Sequence, residues 1–218
     1  MEEREIKVTQ RSVSNQHIDV TIENGQVWRL TGVYGEPDWN HKDRTWSDLR
    51  NLYASNNAMP WILLGDFNEI LYDSEKEGGN PRPQRFMQNF RDALDDCNLE
   101  DFPYIGDRFT WRRGRIRERL DRSVCNREWN DLFPLAGSVN AEMTKSDHRL
   151  ILLDTEYYVG VEASNSIPIK RFEARWLSEP SVDDIVEELG KEQNQEMWLS
   201  LILWLGCMLI CMSGIGKC

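Results

Sequence analysis

Four short clusters in this 218-residue chain bring together side chains able to do chemistry. The first is LLGDFNE at 63–69, where an apolar run ends in Asp66 and Asn68. Two residues apart on a strand, a carboxylate and an amide share one edge. Asp66 can accept a proton or bind a hard metal, and Asn68 can donate to a phosphoryl oxygen without adding negative charge. The same pair alone also reads as an Asx turn closing a strand. The second cluster, Ser146-Asp147-His148, sets an imidazole beside a carboxylate just before the run RLILL. His148 is a candidate general base, general acid or phosphate contact, and His next to Asp is also a common surface pairing. The third runs from Arg108 to Arg122 and holds seven arginines against Glu118 and Asp121. Alternation turns Asp121 inward, away from Leu120, where it could orient a histidine. The bland alternative is a solvated hairpin with its arginines outward. The fourth is Tyr34, at the end of a strand and beside Gly35, whose missing side chain would leave room for a ligand. Its phenol could contact a leaving oxygen, or simply fill core or rim.

The elements that must position these groups follow from periodicity. HIDVTIE at 17–23 and VWRLTGVY at 27–34, joined at Asn24-Gly25, predict a hairpin. Trp46, Leu49, Leu52 and Tyr53 predict a helix from Asp43 to about Asn56, and Phe86, Phe90, Leu94 and Cys97 another over 84–98. PWILLGDFN reads as a short buried strand whose carboxyl end delivers Asp66 and Asn68. Residues 73–83 are a turn-rich loop. Beyond Asp107, short strands are expected at 109–111, 119–124, 138–143 and 149–156, with a helical turn at REWNDLF. Helices alternate with strands first and strands dominate later, which predicts a mixed α/β sandwich and not a strict parallel series.

Lys plus Arg total 26 against 37 Asp plus Glu, a net charge of −11, so a polyanion would have to be held by a local basic patch. Nine Trp, seven Phe and six Tyr exclude wholesale disorder. Five cysteines without paired spacing argue against a disulfide framework or a zinc site. The N-terminus MEEREIKVTQ lacks the features of a secretory signal, which reads as intracellular.

Taken in order, VYGEP, LLGDFNEI, FTWRR, ERLDRSV and KSDHRLILL resemble the endonuclease/exonuclease/phosphatase superfamily, and most closely the endonuclease domain of plant LINE-type non-LTR retrotransposons. The resemblance runs from about Glu5 to Glu156. It implies a deoxyribonuclease I-like α/β sandwich of two mixed sheets flanked by helices. By this resemblance Asp66 activates or orients the attacking water, Asn68 fixes the scissile phosphate, and Tyr34 lies near that phosphate. His148 is the catalytic histidine, Asp121 orients it, and Asp147 is a metal ligand. Thr110, Trp111, Arg112, Arg113 and Arg115 line the nucleic-acid groove. The implied chemistry is phosphodiester hydrolysis with magnesium (Mg) as cofactor and DNA as partner.

In that family a strand carrying an Asn and another carrying the metal-anchoring Glu come before the position of Met1. The expectation is therefore a fold lacking its first strands and a site with inactive or impaired catalysis. Glu36 and Glu69 are not expected to substitute, because neighbours on a strand face opposite ways. The expected organisation is a domain over 1–158, a linker over 159–180 and a helical tail over 181–218. Residues 197–215 of the tail are uncharged over about a bilayer's thickness. They read as a membrane anchor, a core helix or out-of-frame translation of a decayed element, so the location is nuclear by resemblance or tail-anchored. The alternatives to a nuclease are a noncatalytic nucleic-acid-binding or membrane-tethered remnant and a phosphatase of the same fold. Nothing in the sequence argues for an oligomer.

Overall fold

The structure, a computed structural model, describes residues 6–55, 58–141 and 146–158. In chain order they form β1 (Lys7–Val13), β2 (His17–Glu23), β3 (Val27–Tyr34), α1 (Asp43–Ser55), β4 (Trp61–Asp66), β5 (Lys76–Glu77), α2 (Gln84–Asp96), β6 (Glu100–Asp101), β7 (Tyr104–Gly106), β8 (Trp111–Arg113), β9 (Ile116–Glu118), β10 (Asp121–Cys125), α3 (Arg127–Leu132), β11 (Gly137–Asn140) and β12 (Ile151–Asp154). The principal sheet has the order β1-β2-β3-β4-β10-β6. Only β3 and β4 run parallel, with Tyr34 beside Asp66, while β10 lies antiparallel to β4 with Asp121 opposite Asp66. The predicted hairpin is present as β2 and β3, in register from His17 opposite Val33 to Glu23 opposite Val27.

The central strands are apolar on both faces because both are covered. On one face Val33, Trp61, Leu63 and Val124 meet Trp46, Leu49 and Leu52 of α1 and Phe90, Ala93 and Leu94 of α2. Trp46 and Phe90 stack with centroids 4.5 Å apart. Elsewhere Trp28 meets Trp129 of α3 and Phe133 edge-on, at 6.3 and 5.4 Å. Asn126 caps α3 by accepting from the Trp129 amide. Inside this layer Arg29 is fully buried, with its guanidinium on both oxygens of Asp19 at 2.8 and 2.9 Å and over the Trp61 ring. A charge held this way is fully partnered, which its burial requires.

The later strands form smaller sheets. β8 and β9 make a hairpin whose β9 edge pairs with β5, and residues 138–140 of β11 run parallel to β7. The expected strand at 109–111 lies instead at Trp111–Arg113, where the ladder with β9 runs from Trp111 opposite Glu118 to Arg113 opposite Ile116. Among the described residues, a second compact unit comprises Leu135–Gly137 and residues 152–158. Within it, the Tyr158 amide donates to the Leu135 carbonyl. The expected linker, the helical tail and the apolar stretch 197–215 lie outside the described residues; among the described residues, no helix is long and apolar enough to cross a membrane.

Candidate active site

Asp66 is the last residue of β4 and Asp121 the first of β10, so their carboxylates are cross-strand neighbours at one edge of the principal sheet. Two like charges in that position repel. His148 lies between them: its Nδ1 is 2.9 Å from Asp121 Oδ2 and its Nε2 is 4.0 Å from Asp66 Oδ2. Ligand atoms of the three residues all lie within 4.8 Å of one another.

Backbone contacts hold each member of this trio. Thr110 Oγ1 accepts the amides of Leu120 and Asp121 at 3.0 and 2.9 Å, fixing the start of β10. His148 forms an antiparallel bridge with Trp111, and on either side of it the Arg112 amide donates to the Asp147 carbonyl and the Arg149 amide to the Thr110 carbonyl. Arg149 also spreads its guanidinium over the Phe109 and Ala141 carbonyls and Asp107. Asp66 Oδ1 accepts the Asn68 amide at 2.7 Å, the Asx geometry of the motif. Asn68 adopts φ +53°, a conformation asparagine tolerates better than most residues. It is held there by its Nδ2 donating to the Gly35 carbonyl and by the Lys42 ammonium donating to its own carbonyl.

The electrostatics separate an acid from a base. Burial, then the charge of Asp121, raises Asp66 to about 7, against opposing effects of His148, the Asn68 amide and Lys42. Burial opposes the charged form of His148, but the hydrogen bond and charge of Asp121, with Asp66 and Asp147 adding, raise it to about 9. His148 is therefore an imidazolium at neutral pH, suited to donating a proton or contacting a phosphate. Of the roles open to it from sequence, this favours acid over base. Asp66 is the group in the trio suited to accept a proton near neutrality. Burial and the neighbouring Asp66 raise Tyr34, opposed by a hydrogen bond from Asn68, so Tyr34 is a neutral phenol beside the pair.

The structure thus brings Tyr34, Asp66, Asn68, Asp121 and His148 to one place. Asp147, the metal ligand expected from resemblance, is exposed, and its Oδ2 accepts from the Trp111 indole at 3.1 Å. Thr110, expected in the nucleic-acid groove, is fully buried, and its hydroxyl is committed to β10. The space expected beside Gly35 is filled by the Phe67 main chain, which a Cβ there would overlap. Glu36 and Glu69 are engaged elsewhere, Glu36 with Gln16 and the Asp38 amide, Glu69 with Arg82 at 2.9 Å. The arginine-rich stretch also divides. Arg108 and Arg117 pair with Glu77, and Arg119 and Arg122 with Glu75 and Asp101. Arg112, Arg113 and Arg115, on the β8–β9 hairpin and its turn, have no ion pair among the described residues and are exposed. Lys42, Arg149 and the structural role of Thr110 escaped sequence reasoning, since each acts through contacts to distant backbone.

No family model matches the chain, and no curated protein is similar to it in sequence. Among solved structures it is similar to the endonuclease domain of TRAS1, a telomere-specific non-LTR retrotransposon, with a TM-score of 0.53 and 20% identity over 66% of each chain. A truncated Caenorhabditis elegans TDP2 aligns with a TM-score of 0.32 and 15% identity over 66% of this chain and 60% of that one. The first likeness shows the fold alone: the chain has a deoxyribonuclease I-like α/β fold. It spans 66% of the TRAS1 domain's length.

Proposed function

We propose that this chain is a phosphodiester hydrolase of the nuclease type that nicks DNA with the help of a divalent cation, magnesium being the expected one. The observation that carries this reading is the His148–Asp121 hydrogen bond of 2.9 Å facing Asp66 across 4.0 Å, a paired acid and base on one sheet edge. The likeness to an endonuclease domain, that of TRAS1, agrees with it.

The donor set fits a hard cation: two adjacent carboxylates, of which Asp66 is raised by burial and then by the charge of Asp121, are the kind of group such an ion relieves. Asp66 and Asp121, with Asp147 as a third acid, are the residues proposed to hold it, and when bound it would offset charge developing on the phosphate and the leaving oxygen. The chain's own residues do the rest. Asp66 takes the proton of the attacking water, Asn68 and Tyr34 orient the phosphate, and the His148 imidazolium donates to a phosphate or leaving oxygen while Asp121 keeps it charged. Arg112, Arg113 and Arg115 supply the phosphate-binding charge that the net −11 lacks. With both nearby glutamates committed to other partners, the described acids make a sparse metal site, and slow turnover is part of the proposal.

The test is nicking of supercoiled plasmid in magnesium by the full chain. Slow cleavage that disappears in His148→Ala supports the reading. Salt-dependent DNA binding without any cleavage replaces it with the noncatalytic alternative, and release of phosphate from phosphomonoesters in place of nicking replaces it with the phosphatase.

A further inference from the structure

The loop that follows Tyr34 carries a tryptophan that the site described above does not use. Trp39 is 47% exposed, among the most exposed large apolar residues described. Its ring has fixed neighbours: the Arg82 guanidinium lies 4.7 Å from the centroid, the Lys42 ammonium 5.9 Å, and Phe86 packs T-shaped with it at 5.1 Å. The cations and Phe86 take part of the ring, and nearly half of the residue stays open to solvent. An aromatic ring open to that extent can stack on a nucleobase.

Its support is built rather than accidental. Arg82 is buried and reaches Glu69 at 2.9 Å and Glu118 at 2.6 Å, so the guanidinium behind the ring cannot swing away. Lys42 is buried beside it, and the same ammonium donates to the Asn68 carbonyl. The loop itself is cross-tied: Asp38 accepts from the Asn40 amide and side chain and pairs with His41, the Asp38 amide donates to Glu36, and the Glu36 amide donates to Thr45. A ring held in place before a ligand arrives loses little entropy on stacking. Lys42 lies 5.9 Å from the Trp39 ring centre and donates to the Asn68 carbonyl, which puts Trp39 beside the turn that follows Asp66.

We propose that Trp39 is a stacking platform for an unpaired nucleobase of the strand whose phosphate lies at Asp66 and His148. The proposal rests on the nuclease reading and adds to it a preference for DNA that is single-stranded or frayed at the site. Stacking is indifferent to base identity, since every base has a π-face, so the platform confers preference for unpaired structure and not for sequence. Being apolar contact, it also persists in salt that screens the arginines.

The experiment measures binding by fluorescence anisotropy, in calcium to suppress cleavage, of the full chain to a short single-stranded DNA, the same strand with abasic residues, and its duplex. Trp39→Ala is expected to weaken single-strand binding by about 5- to 100-fold, equally at low and high salt, and to leave the duplex unchanged. Trp39→Phe retains most of the affinity and controls for loss of the loop. The abasic strand binds wild type as weakly as the intact strand binds Trp39→Ala, and the two losses do not add. Wild-type affinity in Trp39→Ala, equal losses on single strand and duplex, or no binding by the wild-type chain would each overturn the platform. So would a Trp39 variant that alters only self-association, which would assign the ring to a second copy of the chain. Plasmid nicking reports separately on the trio: binding that behaves as expected without cleavage removes the nuclease reading and leaves the platform standing.

Discussion

Asp121 accepts His148 Nδ1 at 2.9 Å while sitting directly opposite Asp66 on the neighbouring strand, so one carboxylate sets the protonation of both its neighbours. Its charge favours the imidazolium of His148 and disfavours the carboxylate of Asp66. Asp121→Asn therefore moves His148 down from about 9 toward its ordinary 6.5 and Asp66 down from about 7. Nicking should fall by about 10²- to 10⁴-fold. NMR titration of the His148 imidazole, alongside the nicking rate, checks both; an unmoved histidine would contradict the assignment.

The pH profile follows from the same two groups. Cleavage needs Asp66 as carboxylate and His148 as imidazolium, so the rate rises as Asp66 loses its proton, below about 7 once a cation sits on it, and declines as pH passes about 9. These are the apparent values of an interacting set, and the bell belongs to the set. A rate that climbs steadily through pH 10 would exclude His148 as the acid.

Stability moves the other way. Both groups have folded-state values raised above their ordinary ones, so the fold binds these protons more tightly than the unfolded chain does. The Asp66 contribution is complete below 3.8 and lost as pH rises through about 7; that of His148 is complete below 6.5 and lost through about 9. Asp66→Asn keeps the oxygen that accepts the Asn68 amide but carries no charge. It should melt like wild type at pH 5 and higher than wild type at pH 8, while abolishing cleavage. A lower melting temperature at both pH values would be the contrary result.

Thr110 predicts a loss without any contact to substrate. Thr110→Val removes the acceptor of two buried amides at the start of β10, at a cost of about 1–3 kcal/mol for the unpaired groups. Thermal melting and nicking should fall together, with Thr110→Ser close to wild type. Equal melting in the valine variant would deny the hydroxyl its role.

Arginine substitution separates the paired from the unpaired set. Replacing Arg112, Arg113 and Arg115 with alanine should leave melting unchanged and lower the slope of log affinity against log salt by about 0.9 for each phosphate no longer neutralised. Arg122→Ala, which strips both Glu75 and Asp101 of a buried partner, should destabilise by about 3–5 kcal/mol. Duplex binding across a salt series and thermal melting distinguish the two classes.

Much of this site is legible in the sequence because its residues announce themselves locally. WILLGD is apolar throughout and ends in the functional carboxylate, and the HIDVTIE hairpin shows its alternation and its Asn-Gly turn. The edge strand β1 escapes such a reading because KVTQRSV has no apolar face: as an edge covered by nothing among the described residues, it leaves most of its side chains in water. Gly35 and Thr110 suggest a ligand from sequence, yet the first admits Phe67 backbone and the second secures β10. Neither partner is near in sequence, and periodicity carries no information about such contacts. The seven arginines look alike in sequence, and only packing divides those that hold Glu75, Asp101 and Glu77 from those left to face a polyanion.

The register of β4 against β10 also determines how activity would fail. Because Asp66 and Asp121 are juxtaposed by main-chain pairing rather than by a flexible loop, the two carboxylates move only with the sheet that carries them. A shift of one residue along that ladder would turn one carboxylate to the far face of the sheet. Heat inactivation should therefore coincide with cooperative melting of the sheet instead of preceding it. Substitutions deep in the core will act on cleavage as a threshold, leaving it whole until the ladder gives way.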